Sequence, residues 1–129
     1  MNERINQELE LLRARFPGLE YQEEGRWVLL PKYGAPRGVW STDCPDICFQ
    51  IQPAHPGQKP YAFYVRMPFS LQSGAEVLNA TPSREPPFGG EWLKFSWDAP
   101  DWNATAEIRS GSNLLNWALT FRGRLEEGA

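Results

Sequence analysis

The apolar positions at the start of the chain repeat with the period of an α-helix. Four of them fall on one stripe of such a helix, Ile5, Leu9, Leu12 and Phe16. The charged residues between them are expected to form a solvated face, Glu8, Glu10, Arg13 and Arg15. Asn2 is a candidate N-cap, and Pro17 with Gly18 ends the pattern. We therefore predict an amphipathic helix over 3–16 that packs on a flat layer.

Beyond Leu19 the pattern changes to short extended segments bounded by proline or glycine. Alternation is clearest where Ile47, Phe49 and Ile51 share one face. The predicted strands are 27–30, 46–52, 61–66 and 91–97. Short connections between them favour an antiparallel meander. The stretch 68–90 is predicted to be a long irregular loop, and loops of that length are usually functional or disordered.

The helical period returns at the end of the chain. Ser112 is a candidate cap, and the apolar stripe that follows is Leu114, Ala118, Phe121 and Leu125. The expected fold is therefore α+β, with an N-terminal helix, a four-stranded antiparallel meander, a long irregular loop and a C-terminal helix. With 129 residues, 41% of them hydrophobic, we expect one domain over 1–129.

The charge balance excludes some classes of function. The chain has 13 Lys and Arg against 16 Asp and Glu, a net charge of −3, which disfavours a dedicated nucleic-acid binder because phosphate neutralisation requires clustered cations. Neither a signal-peptide pattern nor an apolar run of about 20 residues is present, so no membrane partner is expected. We expect a cytoplasmic protein with reduced cysteines.

The thiols and the single histidine are the most reactive side chains of the chain. If Cys44 and Cys48 both lie in extended chain they are roughly 13 Å apart, which exceeds the limit of about 7 Å for a disulfide. Together with His55 they supply too few ligands for a closed zinc site, so neither a metal nor a cofactor is expected. Cys48 is interpreted as a small buried side chain, and His55 as a solvated turn residue.

Tryptophan is unusually frequent, with six residues in the chain. Most are expected to fill the core. Trp92, Trp97 and Trp102, spaced by five residues, could alternatively form an exposed recognition surface, because aromatic side chains concentrate at binding hot spots.

The order of predicted elements resembles the ubiquitin-conjugating-enzyme (UBC) fold and its RWD relatives. The segment from His55 to Tyr61 is similar to the family's proline-rich turn between the second and third strands. The segment from Gly90 to Trp97, followed by Trp102, resembles the region around the active cysteine and the downstream tryptophan. The likeness is strongest to the divergent bacterial branch called prokaryotic family E, found beside ubiquitin-like proteins and activating enzymes. The resemblance implies these two as partners.

The sequence departs from this family at the nucleophile. In conjugating enzymes a cysteine follows the glycine by three residues, and here that position is Leu93. No cysteine occurs after Cys48, so no small shift of the alignment restores one. Leucine cannot form an acyl intermediate.

Three hypotheses follow. In the first, the protein is a non-catalytic adaptor that binds an activating enzyme or a ubiquitin-like protein through its first helix and the aromatic segment 88–102. The binding candidates are Arg4, Arg13, Phe88, Trp92, Trp97 and Trp102. In the second, Ser83 or Ser96 forms an oxyester, assisted weakly by Asp98 or Asp101, because serine needs a base to take its proton. In the third, the chain is an interaction domain unrelated to conjugation.

Overall fold

A computed structural model describes residues 3–98 and 102–128 and shows two helices and six strands. The helices are α1 (Glu3–Arg15) and α2 (Leu114–Glu127). The strands are β1 (Glu20–Gln22), β2 (Trp27–Leu30), β3 (Ile47–Gln50), β4 (Tyr61–Arg66), β5 (Ala80–Ser83) and β6 (Trp92–Asp98). A short 3-10 turn, Glu24–Arg26, connects β1 to β2. The predicted α+β class with helices at both ends is confirmed.

All six strands pair antiparallel in one sheet, in the order β1-β2-β3-β4-β6-β5. The prediction of four strands is wrong. The four predicted strands correspond to β2, β3, β4 and β6, and the structure adds a short strand at each edge. Edge strands are held mainly by backbone hydrogen bonds, so they need no apolar alternation.

The stretch predicted as a long irregular loop contains the edge strand β5. Its sequence is polar and includes Pro82, which argues against a central strand. An edge strand tolerates proline because one side of its backbone has no partner to donate to. The chain leaves β4, forms β5 at the edge and returns through residues 84–91 to place β6 between them.

Both helices pack on one side of the sheet, which we call the helix face. Its buried side chains include Leu12, Phe49, Phe63, Phe95 and Phe121. The ring centroids of Phe63 and Phe121 lie 4.3 Å apart, and those of Phe63 and Phe95 lie 5.0 Å apart. The apolar stripes predicted for the two helices therefore meet over the alternating residues of the central strands.

The cap predicted for α2 is wrong. Asn113, not Ser112, caps α2, and its side chain accepts from the Asn116 backbone N–H at 2.9 Å. The Ser112 hydroxyl instead accepts from the Asn103 backbone N–H at 2.8 Å. The cap proposed for α1, Asn2, lies outside the described residues. None of the helices in the described part of the chain is long and apolar enough to cross a membrane.

The opposite side of the sheet carries a smaller apolar cluster, and we call it the aromatic face. Its buried side chains are Trp27, Leu29, Cys48, Tyr64 and Trp92, and Phe88 packs against them. The prediction that Cys48 is a small buried side chain is confirmed.

Candidate functional site

Leu93, at the position where the resemblance places the nucleophile, lies in β6, the strand next to the edge of the sheet. It lies between Val65 of β4 and Pro82 of β5. Its side chain is 8% exposed and points into the helix-face core. A reactive group at this position would face packed hydrocarbon rather than a groove, so this position in β6 could not carry an acyl intermediate accessible to a second protein.

The two thiols occupy different environments and form no disulfide. Cys48 is fully buried in β3 between Leu29 and Tyr64 of the neighbouring strands. Burial raises the pKa of the Cys48 thiol far above its ordinary value, which suppresses the thiolate. Cys44 is exposed in the turn that precedes β3.

The two candidate serines share the aromatic face but not a site. Ser83 ends β5 opposite Trp92, and Ser96 lies four residues further along β6, roughly 13 Å along the strand direction. The Ser83 hydroxyl lies 3.4 Å from a carboxylate oxygen of Glu85 and accepts from the Glu85 backbone N–H at 3.2 Å. The Ser96 side chain is exposed. Of the two, Ser83 therefore has a neighbouring carboxylate.

Glu85 is the centre of a polar group at the edge of the aromatic face. One of its carboxylate oxygens, Oε1, lies 3.5 Å from the Tyr64 hydroxyl and 3.8 Å from the Lys94 ammonium, in addition to the Ser83 contact. Burial, followed by the charge of Glu85, raises the pKa of the Tyr64 phenol well above its ordinary value. Tyr64 therefore remains a hydrogen-bond donor at neutral pH.

The histidine lies on the other side of the sheet, in a cluster that sequence reasoning missed. His55 Nε2 and Glu8 Oε2 are 2.6 Å apart, and both residues are buried. Arg4 Nε donates to the same oxygen at 2.7 Å, and the Leu114 backbone N–H donates to Glu8 Oε1 at 2.7 Å. We call these groups the Glu8 cluster. It connects α1, the turn between β3 and β4, and the first turn of α2.

The expectations of a solvated Glu8 and a solvated His55 are therefore wrong. Glu8 follows Ile5 by three residues and precedes Leu12 by four, which places it on the apolar stripe, and this spacing was the available signal. Burial alone raises the pKa of the Glu8 carboxyl, but the hydrogen bonds from His55 and Arg4 outweigh it. The net result is a pKa below the ordinary value.

The side chains predicted as bases for a serine nucleophile are not positioned to take a proton from Ser83 or Ser96. His55 is enclosed by Glu8 and by the Trp102 ring, whose centroid is 5.9 Å from that of His55, on the helix side of the sheet. Asp98 forms an exposed ion pair with Lys59 at 2.9 Å. Asp101 lies outside the described residues.

The six candidate binding residues do not form one surface. Phe88 is half-buried and Trp92 fully buried on the aromatic face. The other two candidate tryptophans, Trp97 and Trp102, are half-buried near the helices. Trp97 Nε1 donates to the Thr120 hydroxyl at 3.0 Å, and Trp102 Nε1 donates to the Pro56 carbonyl at 2.9 Å.

The two candidate arginines of the first helix, Arg4 and Arg13, also differ. The Arg4 side chain is 15% exposed, and besides Glu8 it donates to the backbone carbonyls of Thr105 and Ser112. Arg4 therefore has a structural role in the Glu8 cluster. Arg13 is exposed on α1 and is accessible to a partner.

No group of three His, Cys, Asp or Glu side chains within 3–98 and 102–128 is arranged to hold a metal ion. A groove of about 430 Å³ lies between the 3-10 turn and the end of β3, lined in part by Glu23, Arg26 and Gln52. It contains no nucleophilic side chain.

Comparison with known proteins shows one family. Residues 7–121, from the first helix into the last, match the model of the family described as Prokaryotic E2 family E. No curated protein and no solved structure matches the chain significantly.

Proposed function

Because the chain belongs to Prokaryotic E2 family E, we propose that it is a UBC-like component of a bacterial ubiquitin-like conjugation pathway and acts as a binding adaptor. The observation that carries the adaptor role is the position of Leu93. The residue that the resemblance aligns with the active cysteine is apolar and inside the core. The thiol of β3, Cys48, is also buried, so neither position supplies a nucleophile.

The partners proposed are an activating enzyme and a ubiquitin-like protein. Exposed Arg13 on α1 and the half-buried Phe88, Trp97 and Trp102 are the binding candidates that reach the surface. They lie on different sides of the molecule, which suits a protein that bridges two partners. An interaction domain outside conjugation remains the alternative if neither partner binds.

The adaptor role is tested by incubating the protein with an activating enzyme and a ubiquitin-like protein of a bacterial conjugation pathway, with ATP and Mg²⁺. We expect a non-covalent complex by calorimetry or gel filtration and no adduct on a non-reducing gel. The control is Cys44→Ser, which removes the exposed thiol. A reductant-labile adduct in the wild type that is lost in Cys44→Ser would overturn the adaptor role.

A second candidate is an oxyester carrier, favoured by the contact between Ser83 and Glu85. In this reaction Ser83 Oγ attacks the thioester carbonyl of the carrier protein on the activating enzyme. The C–O bond forms, the C–S bond breaks, the thiolate leaves, and the hydroxyl proton passes to the Glu85 carboxylate. An adduct that resists reductant, is cleaved by hydroxylamine and is lost in Ser83→Ala but not in Ser96→Ala would establish it.

A further inference from the structure

The aromatic face is covered by a loop, whereas the helix face is covered by two helices. Residues 84–91 connect β5 to β6 and fold back over Trp92. The Phe88 ring packs edge-on against Trp92 at 6.3 Å between centroids, and Trp92 Nε1 donates to the Gly89 carbonyl at 3.0 Å. Arg66 Nη1 donates to the same carbonyl at 3.1 Å. Trp92 is fully buried, and the Arg66 guanidinium also lies over its ring, 4.3 Å from the centroid.

The charged contacts of this loop are half-exposed. The Lys94 and Glu85 side chains, 3.8 Å apart, are 34% and 59% exposed. The side chains of Arg84 and Glu91, 3.7 Å apart, are 81% and 46% exposed. Ion pairs in such positions stabilise little because water competes for both charges. Pro86 is buried, and the Glu91 carbonyl accepts from the Met67 backbone N–H at 2.9 Å. The loop is therefore held by Phe88, by Pro86 and by the carbonyls of Gly89 and Glu91.

The backbone of residues 84–91 allows movement at its C-terminal end. Gly89 and Gly90 have φ values of 75° and 76°, in the left-handed region that glycine adopts without strain. A side chain at Gly89 would meet nothing within 4 Å, so no neighbouring atom packs on that side of its Cα.

We propose that residues 84–91 form a flap that opens to expose Trp92, Tyr64 and Lys94 as a docking surface for an acidic, aromatic segment of a partner. The role of this surface rests on the proposed adaptor function. The chemistry of the occupant follows from charge complementarity. Closing the flap supplies a carboxylate, Glu85, to Lys94 and an aromatic ring, Phe88, to Trp92. A segment with both groups replaces these contacts.

Hydrogen exchange of the tryptophan indole N–H groups, followed by NMR on the full chain, tests the flap. Trp92 reports on opening, and Trp40 reports on global unfolding because its buried Nε1 donates to the Leu125 carbonyl at 2.8 Å. We expect the Trp92 N–H to exchange at least about tenfold faster than that of Trp40. Equal rates for the two would overturn the flap.

Variants of the flap sharpen this result. Phe88→Ala and the milder Glu85→Gln should accelerate Trp92 exchange several-fold and leave Trp40 unchanged. The matched control is Leu78→Ala, which truncates an exposed apolar side chain outside the flap and should change neither rate. Acceleration of Trp92 and Trp40 by the same factor would show destabilisation of the whole fold and would contradict the proposal.

The occupant is tested with a peptide of residues 83–91 added to the Phe88→Ala protein. A shift of the Trp92 indole signal that is absent with the peptide carrying alanine for its phenylalanine supports an acidic, aromatic occupant. No shift at about millimolar peptide would overturn that assignment. Neither experiment contains an activating enzyme or a ubiquitin-like protein, so their failure is distinguishable from failure of the adaptor role.

Discussion

The two faces of the sheet are closed by different means. On the helix face, helices bring large apolar surfaces and buried hydrogen bonds, including those of Tyr33, Trp40 and Glu8. On the aromatic face, a single loop brings the half-buried Phe88 ring, the buried Pro86 and a few polar contacts, including a half-exposed ion pair. Apolar burial and satisfied buried polar groups stabilise far more than exposed ion pairs. Stability should therefore reside in the helix face, while the aromatic face is free to change.

Truncating one aromatic ring on each face should show the difference in stability between the two faces most clearly. Phe121 is fully buried against Phe63 and Trp117, so Phe121→Ala should lower the free energy of unfolding by about 4 kcal/mol. Phe88→Ala should lower it by about 1 kcal/mol or less, because the ring is only half-buried. Urea unfolding followed by circular dichroism measures both. Equal losses would show that the two faces contribute equally to stability and would contradict this comparison.

Removing the negative charge of Glu8 should have the next largest effect on the free energy of unfolding. Glu8→Gln leaves Arg4 and His55 without their carboxylate in a buried position, and we expect a loss of about 3 kcal/mol. The control is Glu10→Gln on the exposed side of the same helix, which should change stability by less than about 0.5 kcal/mol. A small effect of Glu8→Gln would mean that the cluster is dispensable for folding.

Acid should weaken the helix face through the same carboxylate. The pKa of Glu8 in the native state lies below its ordinary value of 4.5, so the unfolded chain binds the proton more readily. The stabilisation is complete above the unfolded-state pKa and is lost as the pH falls through the native pKa. In urea titrations from about pH 6 to about pH 3, wild-type stability should fall more steeply than that of Glu8→Gln. Parallel curves would contradict the lowered pKa.

Two tyrosine hydroxyls provide the smallest and most closely matched comparison. Tyr33 on the helix face donates to the Ala118 carbonyl at 2.6 Å and accepts from the Arg122 N–H, so Tyr33→Phe should cost about 1.5 kcal/mol. The Tyr64 hydroxyl meets Glu85 only at 3.5 Å, and Tyr64→Phe should cost less than about 0.5 kcal/mol. Chemical denaturation distinguishes the two, and a reversed order would contradict the assignment of stability to the helix face.

The hydrophobic pattern of the sequence predicts those helices and strands that bury an apolar face. Both helices and the four central strands fall in this class. The edge strands β1 and β5 carry few apolar residues, and β5 contains Pro82, so their pairing follows from the position of neighbouring backbone rather than from their own side chains. The site was less predictable: the exposed aromatic surface proposed from spacing is divided between two faces, with Trp92 inside one of them.

The sequence by itself determined the α+β class, the family and the lack of a cysteine at the expected position, because periodicity, motif and residue identity are local properties. Only the tertiary structure decided that Leu93 faces the core, that Glu8 meets His55, 47 residues away, and that residues 84–91 close over Trp92. These arrangements depend on contacts between distant segments. The physical reason is that burial and hydrogen-bond partners arise from packing in three dimensions, and a one-dimensional pattern constrains packing only within a single element.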